Sequence, residues 1–352
     1  MPDFKDIIGQ KQLKHTLLSA IALDKPSHAY IFNGETGSGR DMLAEAFSKT
    51  LLCDGNKKDR EAVKNSIKDG NIDDEVLFKL DACDICTSCL QSSSSNNPDV
   101  IYVTHEKASI SVEDIREQIN KTVEFPPYSE EYKIYIIKDA NKMTEEAQNA
   151  LLKTIEEPPA YVIFILISEN TSMFLPTILS RCVVLNTHPI SKEEISSYLV
   201  NKLQMEKANA DIAANFCQGN MGRAIKFGTS PDFIETKEKV LNLLKHIDSM
   251  HLYETMEVIR EFSNDKRNFN DYLDLMLLWY RDVLTFKSTQ DINLLLYRGE
   301  YKAISEQASK RSYEDIQDIL TGIDKAKVRL KSNVNFEITI ELMLLNIKDS
   351  AY

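Results

Sequence analysis

The chain has 352 residues, 43% hydrophobic and 27% charged, which suits a globular protein of two or three domains and excludes a disordered chain. Its net charge of -12 argues against broad phosphate binding, because sequence-independent DNA affinity comes from Lys and Arg displacing counterions. Contact with nucleic acid is therefore expected to be local or made through partners.

Met1 to Gly9 lacks an apolar run after a basic segment, and no stretch approaches the roughly 18 uninterrupted apolar residues of a spanning helix. A cytoplasmic location with no membrane partner is expected. Six cysteines are too few for a disulfide scaffold, and three of them fall between Cys83 and Cys89, which favours a metal site in a reducing compartment.

From Ala29 to Thr187 short apolar runs alternate with helical patterns, which predicts a parallel sheet covered by helices. Five strands are expected, at Ala29 to Asn33, Val100 to Val103, Lys133 to Ile137, Tyr161 to Ser168 and Cys182 to Asn186. Gln91 to Pro98, with four serines in a row, reads as a loop. Between Ser191 and Gly228 short helices ending in glycines predict a small second helical unit. Beyond about Glu235 no strand pattern recurs. Three stripes, Leu241, Leu244 and Ile247, then Leu273, Met276, Leu277 and Tyr280, then Ile338, Glu341, Leu342 and Leu345, fall at helical spacing and predict a helix bundle.

The first expected strand runs into Gly34-Glu-Thr-Gly37-Ser-Gly39-Arg40-Asp41 and then a helical stretch, Met42 to Leu52. The glycine spacing and the strand–loop–helix context are those of a phosphate loop, in which amides cradle phosphates, a Lys reaches the β and γ phosphates and a Ser or Thr holds magnesium. Here Arg40 replaces the Lys and Asp41 replaces the hydroxyl. An arginine keeps the charge without the compact ammonium, and a carboxylate beside phosphates adds repulsion, so ATP is expected not to be bound. A second position agrees. Such ATPases end a later strand on an Asp-Glu pair that serves magnesium and water, whereas Ile134 to Ile137 is followed by Lys138 and Asp139. Both are expected to be turn residues.

Tyr132 to Cys182 contains Lys138-Asp-Ala140, Ala147-Gln-Asn-Ala-Leu-Leu-Lys-Thr-Ile-Glu-Glu-Pro-Pro159 and Leu175-Pro-Thr-Ile-Leu-Ser-Arg-Cys182. These runs resemble the bacterial replicative clamp-loader subunits of the AAA+ class. Ile7-Ile-Gly-Gln10 and Ser27-His-Ala-Tyr30 match the opening of that family, and Leu278-Trp-Tyr-Arg-Asp-Val-Leu284 and Asn333-Val-Asn335 look like its collar domain. The resemblance implies an α/β AAA+ P-loop domain with a five-stranded parallel sheet over 1–187, carrying a zinc module at about 53–90. It also implies a helical lid over 188–234 and an all-α collar over 235–352.

Within the family, departure from the Lys, the Thr and the acidic pair points to the delta-prime branch of DNA polymerase III, with the ATP-hydrolysing gamma/tau motor branch as the alternative. The resemblance then implies a subunit that hydrolyses nothing itself and supplies Arg181 as an arginine finger to ATP held by a neighbour. Its implied partners are the gamma/tau and delta subunits, the sliding clamp and primer–template DNA. A guanidinium acting in trans is worth about 10³ to 10⁵ in rate and needs no nucleotide on its own chain. Cys182 reads as a small buried residue, Cys217 as core, and Arg223, in Gly219-Asn-Met-Gly-Arg-Ala224, as a surface residue without a sensor role.

Cys83-x-x-Cys86-x-x-Cys89 gathers three thiolates in one tight turn, and zinc takes four ligands in a tetrahedron. Cys53, at the end of the helix after the phosphate loop, is the expected fourth, which matches the zinc module of the family. Asp81 and Asp84 are the alternatives, less favoured beside three sulfurs. With four protein ligands the metal is structural. The charged spacer from Asp54 to Ala82 is expected to hold an inserted helix.

Overall fold

Runs such as Ile134-Tyr-Ile-Ile137 and Val162-Ile-Phe-Ile-Leu-Ile167 have no polar face, so they can only sit inside a sheet covered on both sides. In the computed structural model, which describes residues 1–68, 77–105, 107–264, 269–332 and 334–349, they form the centre of a five-stranded sheet. Its strands are β1 (Ala29–Asn33), β2 (Val100–Val103), β3 (Lys133–Ile137), β4 (Val162–Ser168) and β5 (Val183–Asn186), in the order β2-β3-β4-β1-β5. Every pairing is parallel, with Ala29 opposite Phe164, Tyr30 opposite Val183 and Lys133 opposite Val162. The five expected strands are therefore all present, two of them one residue shorter at the start. This is the expected α/β arrangement with a five-stranded parallel sheet.

The two faces of the sheet feed two cores. Tyr30, Phe32, Ile134, Ile136, Ile163 and Ile165 pack with Leu17, Leu43 and Phe47 of the Lys11–Ala22 and Arg40–Leu51 helices. Ile31, Tyr135, Ile137, Phe164 and Leu166 pack with Ala147, Leu151 and Ile155 of the Glu145–Glu156 helix. That helix starts where Thr144 accepts the amide of Ala147, a side-chain N-cap, and it carries Glu145 and Glu146 in its first turn.

The chain divides into two compact units: Met1–Glu194 with Gly219–Gly222, and Ile195–Gln218 with Arg223–Tyr352. The stretch expected to be a lid, 188–234, thus contributes eleven residues, 188–194 and 219–222, to the sheet unit and the remainder to the helical one. In the helical unit the Phe269–Thr289 helix packs on the Tyr301–Lys310 and Tyr313–Lys331 helices. Buried Trp279 donates to Gln307 (2.9 Å), which donates to the Leu244 carbonyl (2.6 Å), so the one indole N–H in the chain is satisfied. Arg311, with no exposed side-chain area, is paired through both terminal nitrogens to Asp248.

Three sequence readings need correction. The Phe336–Asp349 helix buries Ile340, Met343, Leu344 and Ile347, whereas Ile338 and Leu342 of the expected stripe are 55% and 52% exposed. Arg223 is not a free surface side chain: it pairs with Asp274 and Asp271 and lies 4.9 Å from the Phe216 ring centre. The serine run is partly helical, since Thr87–Ser93 forms a helix whose N-cap is Cys86. The expected helix in the spacer is Lys57–Lys68; residues 69–76 of the spacer, and Asn333 of the expected collar motif, lie outside the described residues. Among the described residues no helix is long and apolar enough to cross a membrane.

Candidate functional site

The glycine loop follows β1, and its shape is fixed from three sides. The Gly34 amide donates to the Ser168 carbonyl at the end of β4 (3.0 Å), and Gly37 and Gly39 take φ of 86° and 92°, which favours glycine. The third constraint is the segment 219–222. Asn220 Nδ2 donates to the Thr36 carbonyl (2.8 Å) and the Gly222 amide donates to the Gly37 carbonyl (2.9 Å).

Arg40 opens the following helix, yet only 4% of it is exposed. Its guanidinium turns back into the loop, where Nη1 donates to the Gly34 carbonyl (2.5 Å), Nη2 reaches Glu169 Oε1 (3.3 Å) and Nε reaches Asp41 Oδ2 (3.3 Å). Glu169, immediately after β4, also accepts from the Thr36 hydroxyl. Three of the five N–H donors of Arg40 thus meet acceptors of its own chain, and two carboxylates stand at the loop. Glu169 was missed in the sequence because only the β4–β1 adjacency brings it there.

The residues after β3 are turned to structural use. Lys138 pairs with Glu45 (3.3 Å) and lies 5.3 Å from the Tyr102 ring centre. Asp139 sits in the left-handed region (φ 51°) and binds Lys142 (2.8 Å), whose ammonium holds the carboxyl below the usual carboxylate range. Nearby, Gln10, also left-handed at φ 53°, bonds both ways with the His188 backbone and lines a cleft of about 450 Å³ with Leu13 and Ile190.

Arg181 lies before β5, at the edge of the sheet. Its side chain is 37% exposed and its ion pair is with Glu156 (2.8 Å), itself 41% exposed; Nη1 also touches the Thr177 carbonyl (3.1 Å). An exposed pair of this kind is weak, about 0 to 1 kcal/mol, so the guanidinium can be drawn off by a stronger anion. Burial pushes the half-buried Cys182 thiol up to about 12, which makes it no nucleophile.

Cys53, Cys83, Cys86 and Cys89 converge with all four Sγ atoms within 4.8 Å of one another, and the Cys53–Cys86 and Cys83–Cys89 separations are both 4.0 Å. A tetrahedron with about 2.3 Å sulfur–metal bonds has edges of about 3.8 Å, so the set fits zinc, whereas disulfides at about 2.05 Å are absent. The turn is built for thiolates. The amides of Cys83, Cys86 and Cys89 donate to the sulfurs of Cys53, Cys83 and Cys86 at 3.3 to 3.5 Å. Burial raises the Cys83 thiol, but amide donation from Ile85 and Cys86 outweighs it and brings the thiol down to about 6.

The alternative ligands are engaged elsewhere. Asp81 accepts the Phe4 and Lys5 amides (3.2 and 3.0 Å), and Asp84 pairs with Lys49 (2.5 Å) and Lys5 (3.0 Å), which hold it down to about 2. Arg60, on the inserted helix, was missed by the sequence reading. It is 8% exposed and donates to the Thr50, Leu51 and Cys53 carbonyls (2.7, 2.7 and 3.2 Å). It therefore covers the negative end of the Arg40–Leu51 helix where four thiolates gather.

The family model described as DNA polymerase III, delta subunit, matches residues 9–191. The chain is 27% identical to DNA polymerase III subunit delta' of Bacillus subtilis, over 97% of this chain and 96% of that protein. It is 25% identical to subunit tau of the same organism, over 99% of this chain and 62% of that protein. A Thermotoga maritima protein related to the gamma subunit superposes over 96% of this chain and all of that one, at 18% identity and a TM-score of 0.38.

Proposed function

The chain belongs to the DNA polymerase III delta-subunit family, and from that premise we propose that it is the non-hydrolysing subunit of the replicative sliding-clamp loader. The observation that carries this reading is Arg40, buried in its own loop against the Gly34 carbonyl and Glu169. A phosphate entering the cradle would have to break those bonds and face two carboxylates. Lys138, in place of a magnesium-binding acid, argues the same way.

In this reading Arg181 is an arginine finger. It leaves Glu156 for the γ phosphate of ATP on a neighbouring gamma/tau subunit, while the delta subunit, the sliding clamp and primer–template DNA complete the assembly within the DNA polymerase III holoenzyme. Residues 188–234 act as the lid and 235–352 as the collar. The exposed Ile338 and Leu342 favour a partner there, because together they leave apolar side chains of this helix facing water. The four cysteines hold a structural zinc that stabilises the 53–90 module. The chain acts in the cytoplasm.

The motor-subunit reading has a specific observation in its favour, the 25% identity to tau, close to the value for delta'. Arg181→Ala in the assembled complex separates the two. Loss of DNA-stimulated ATPase by about 10³-fold or more, with the complex intact and the isolated chain inert, is expected. Unchanged turnover removes the finger assignment.

A further inference from the structure

Four charged side chains beside the cysteine turn join in a closed cycle. Lys49, on the Arg40–Leu51 helix, pairs with Asp3 (2.6 Å) and with Asp84 (2.5 Å), and Lys5 pairs with the same two carboxylates (2.8 and 3.0 Å). The signs alternate around the cycle and cancel. Lys49 is 2% exposed and Asp3 5%, so neither ion keeps its water, and an ion so placed needs its partners in position. Asp84 is the partner supplied by the cysteine turn, for it stands between Cys83 and Cys86. Its φ of 62° is uncommon for a residue with a side chain and persists only where the surroundings enforce it.

A second carboxylate repeats the link. Asp81, two residues before Cys83, accepts the amides of Phe4 and Lys5 (3.2 and 3.0 Å) and the Thr50 hydroxyl (3.2 Å). Phe4, 2% exposed, belongs to the core that contains Leu43 and Phe47. The segment Asp3–Asp6 and the last turn of the Arg40–Leu51 helix are thus both fastened to the cysteine turn, through carboxylates on either side of Cys83.

We infer that this turn is a metal-dependent latch: whatever fixes Cys83 to Cys86 also fixes Asp81 and Asp84, and through them the segment Asp3–Asp6. As thiolates, four sulfurs within 4.8 Å of one another repel unless a cation lies among them, so the shape of the turn and the position of Asp84 depend on the metal. Such coupling is reciprocal. A change at Asp3 must alter metal retention by the same factor by which metal loss alters the order of Asp3–Asp6. The metal site then does more than brace its own module, for it also decides whether the buried Lys49 keeps both of its partners.

This inference rests on the reading of the four cysteines as a zinc site, and its test keeps the two apart. Hydrogen exchange of the full chain is followed by mass spectrometry, zinc-loaded and after chelation. The amides of Phe4 and Lys5 are expected to exchange at least about fivefold faster once zinc is removed, while those of Lys133–Ile137 stay protected. Asp3→Ala, which leaves every cysteine in place, is expected to weaken zinc retention at least about fivefold against a chelator. Equal exchange at Phe4 and Lys5 with and without zinc, or unchanged zinc retention in Asp3→Ala, overturns the latch and leaves the zinc site standing. If chelation also exposes Lys133–Ile137, the chain has opened as a whole and the Asp3→Ala comparison alone decides. A full chain that holds no zinc overturns both.

Discussion

Nucleotide binding is where the loop geometry makes its sharpest demand. For phosphates to occupy the cradle, Arg40 must give up the Gly34 carbonyl and Glu169. A hydrogen bond to a charged group is worth about 1.5 to 3 kcal/mol, so the exchange costs about 3 to 6 kcal/mol before any repulsion from Asp41 and Glu169 is counted. That is about two to four powers of ten in affinity. A loop that would otherwise hold ATP at micromolar concentration is moved to the millimolar range. Isothermal titration of the isolated chain is therefore expected to show no binding at about 0.1 mM ATP with magnesium. Restoring Arg40→Lys, Asp41→Thr and Glu169→Thr together should bring binding back, because the glycine geometry is intact. Hydrolysis should stay absent, with Lys138 in place of a metal-binding acid. Micromolar binding by the unmodified chain would refute the argument that Arg40 closes its own cradle.

Elemental analysis should find about one zinc per chain, and Cys86→Ser should lose it. Arg60→Met should weaken zinc retention about 10- to 100-fold in a chelator competition, since it removes the cation that covers the Cys53 carbonyl. In the helical unit, Asp248→Ala strands the buried Arg311 and should cost about 3 to 5 kcal/mol in urea unfolding with an unchanged m value. Burial pushes Asp282 up to about 6, against the amides of Leu296 and Tyr297 that donate to it. Because its folded value lies above the unfolded one near 3.8, its contribution is full below about pH 4 and is lost as pH rises through 6, by about 3 kcal/mol in all. Asp282→Asn should flatten the pH dependence of the unfolding midpoint over that window.

The strands were legible because a run apolar on both faces has one place to go, and Ile134 to Ile137 could be nothing but an inner strand. Cys83, Cys86 and Cys89 were legible because chemistry fixes their spacing, whereas Cys53 was expected from the family resemblance, with Asp81 and Asp84 as alternatives. The last helix was not, for the opposite reason. With Phe336, Ile338, Ile340, Leu342, Met343, Leu344, Leu345 and Ile347 apolar, periodicity offers several faces, and packing alone selects the one containing Ile340 and Leu344. Glu169 and Arg60 escaped because each acts across the fold, on atoms 129 and 10 residues or fewer away in the chain but set by sheet order and helix packing. Polar residues of that kind leave no periodic signal.

The glycines of the loop carry a different lesson, since they were read as the residue of lost nucleotide chemistry. A Cβ at Gly34 would stand 1.9 Å from Thr187 Oγ1, and one at Gly222 would stand 2.6 Å from the Gly37 Cα. Gly37 adds a positive φ and an Asn220 Oδ1 at 2.6 Å from any Cβ. Each of these clashes is with the protein itself. Gly34 and Gly37 are therefore required here by the packing of Thr187 and the 219–222 segment on the loop, whether or not a phosphate is bound, whereas a Cβ at Gly39 would meet nothing within 4 Å and only its φ of 92° favours glycine. Arg40 and Asp41, which the packing does not dictate in this way, are where the chemistry was free to change. A Gly37→Ala chain should accordingly lose stability, by about 1 to 3 kcal/mol from the strained backbone, under conditions where no nucleotide is present. Equal stability of the two proteins in thermal unfolding would mean that the glycine is kept for a ligand after all.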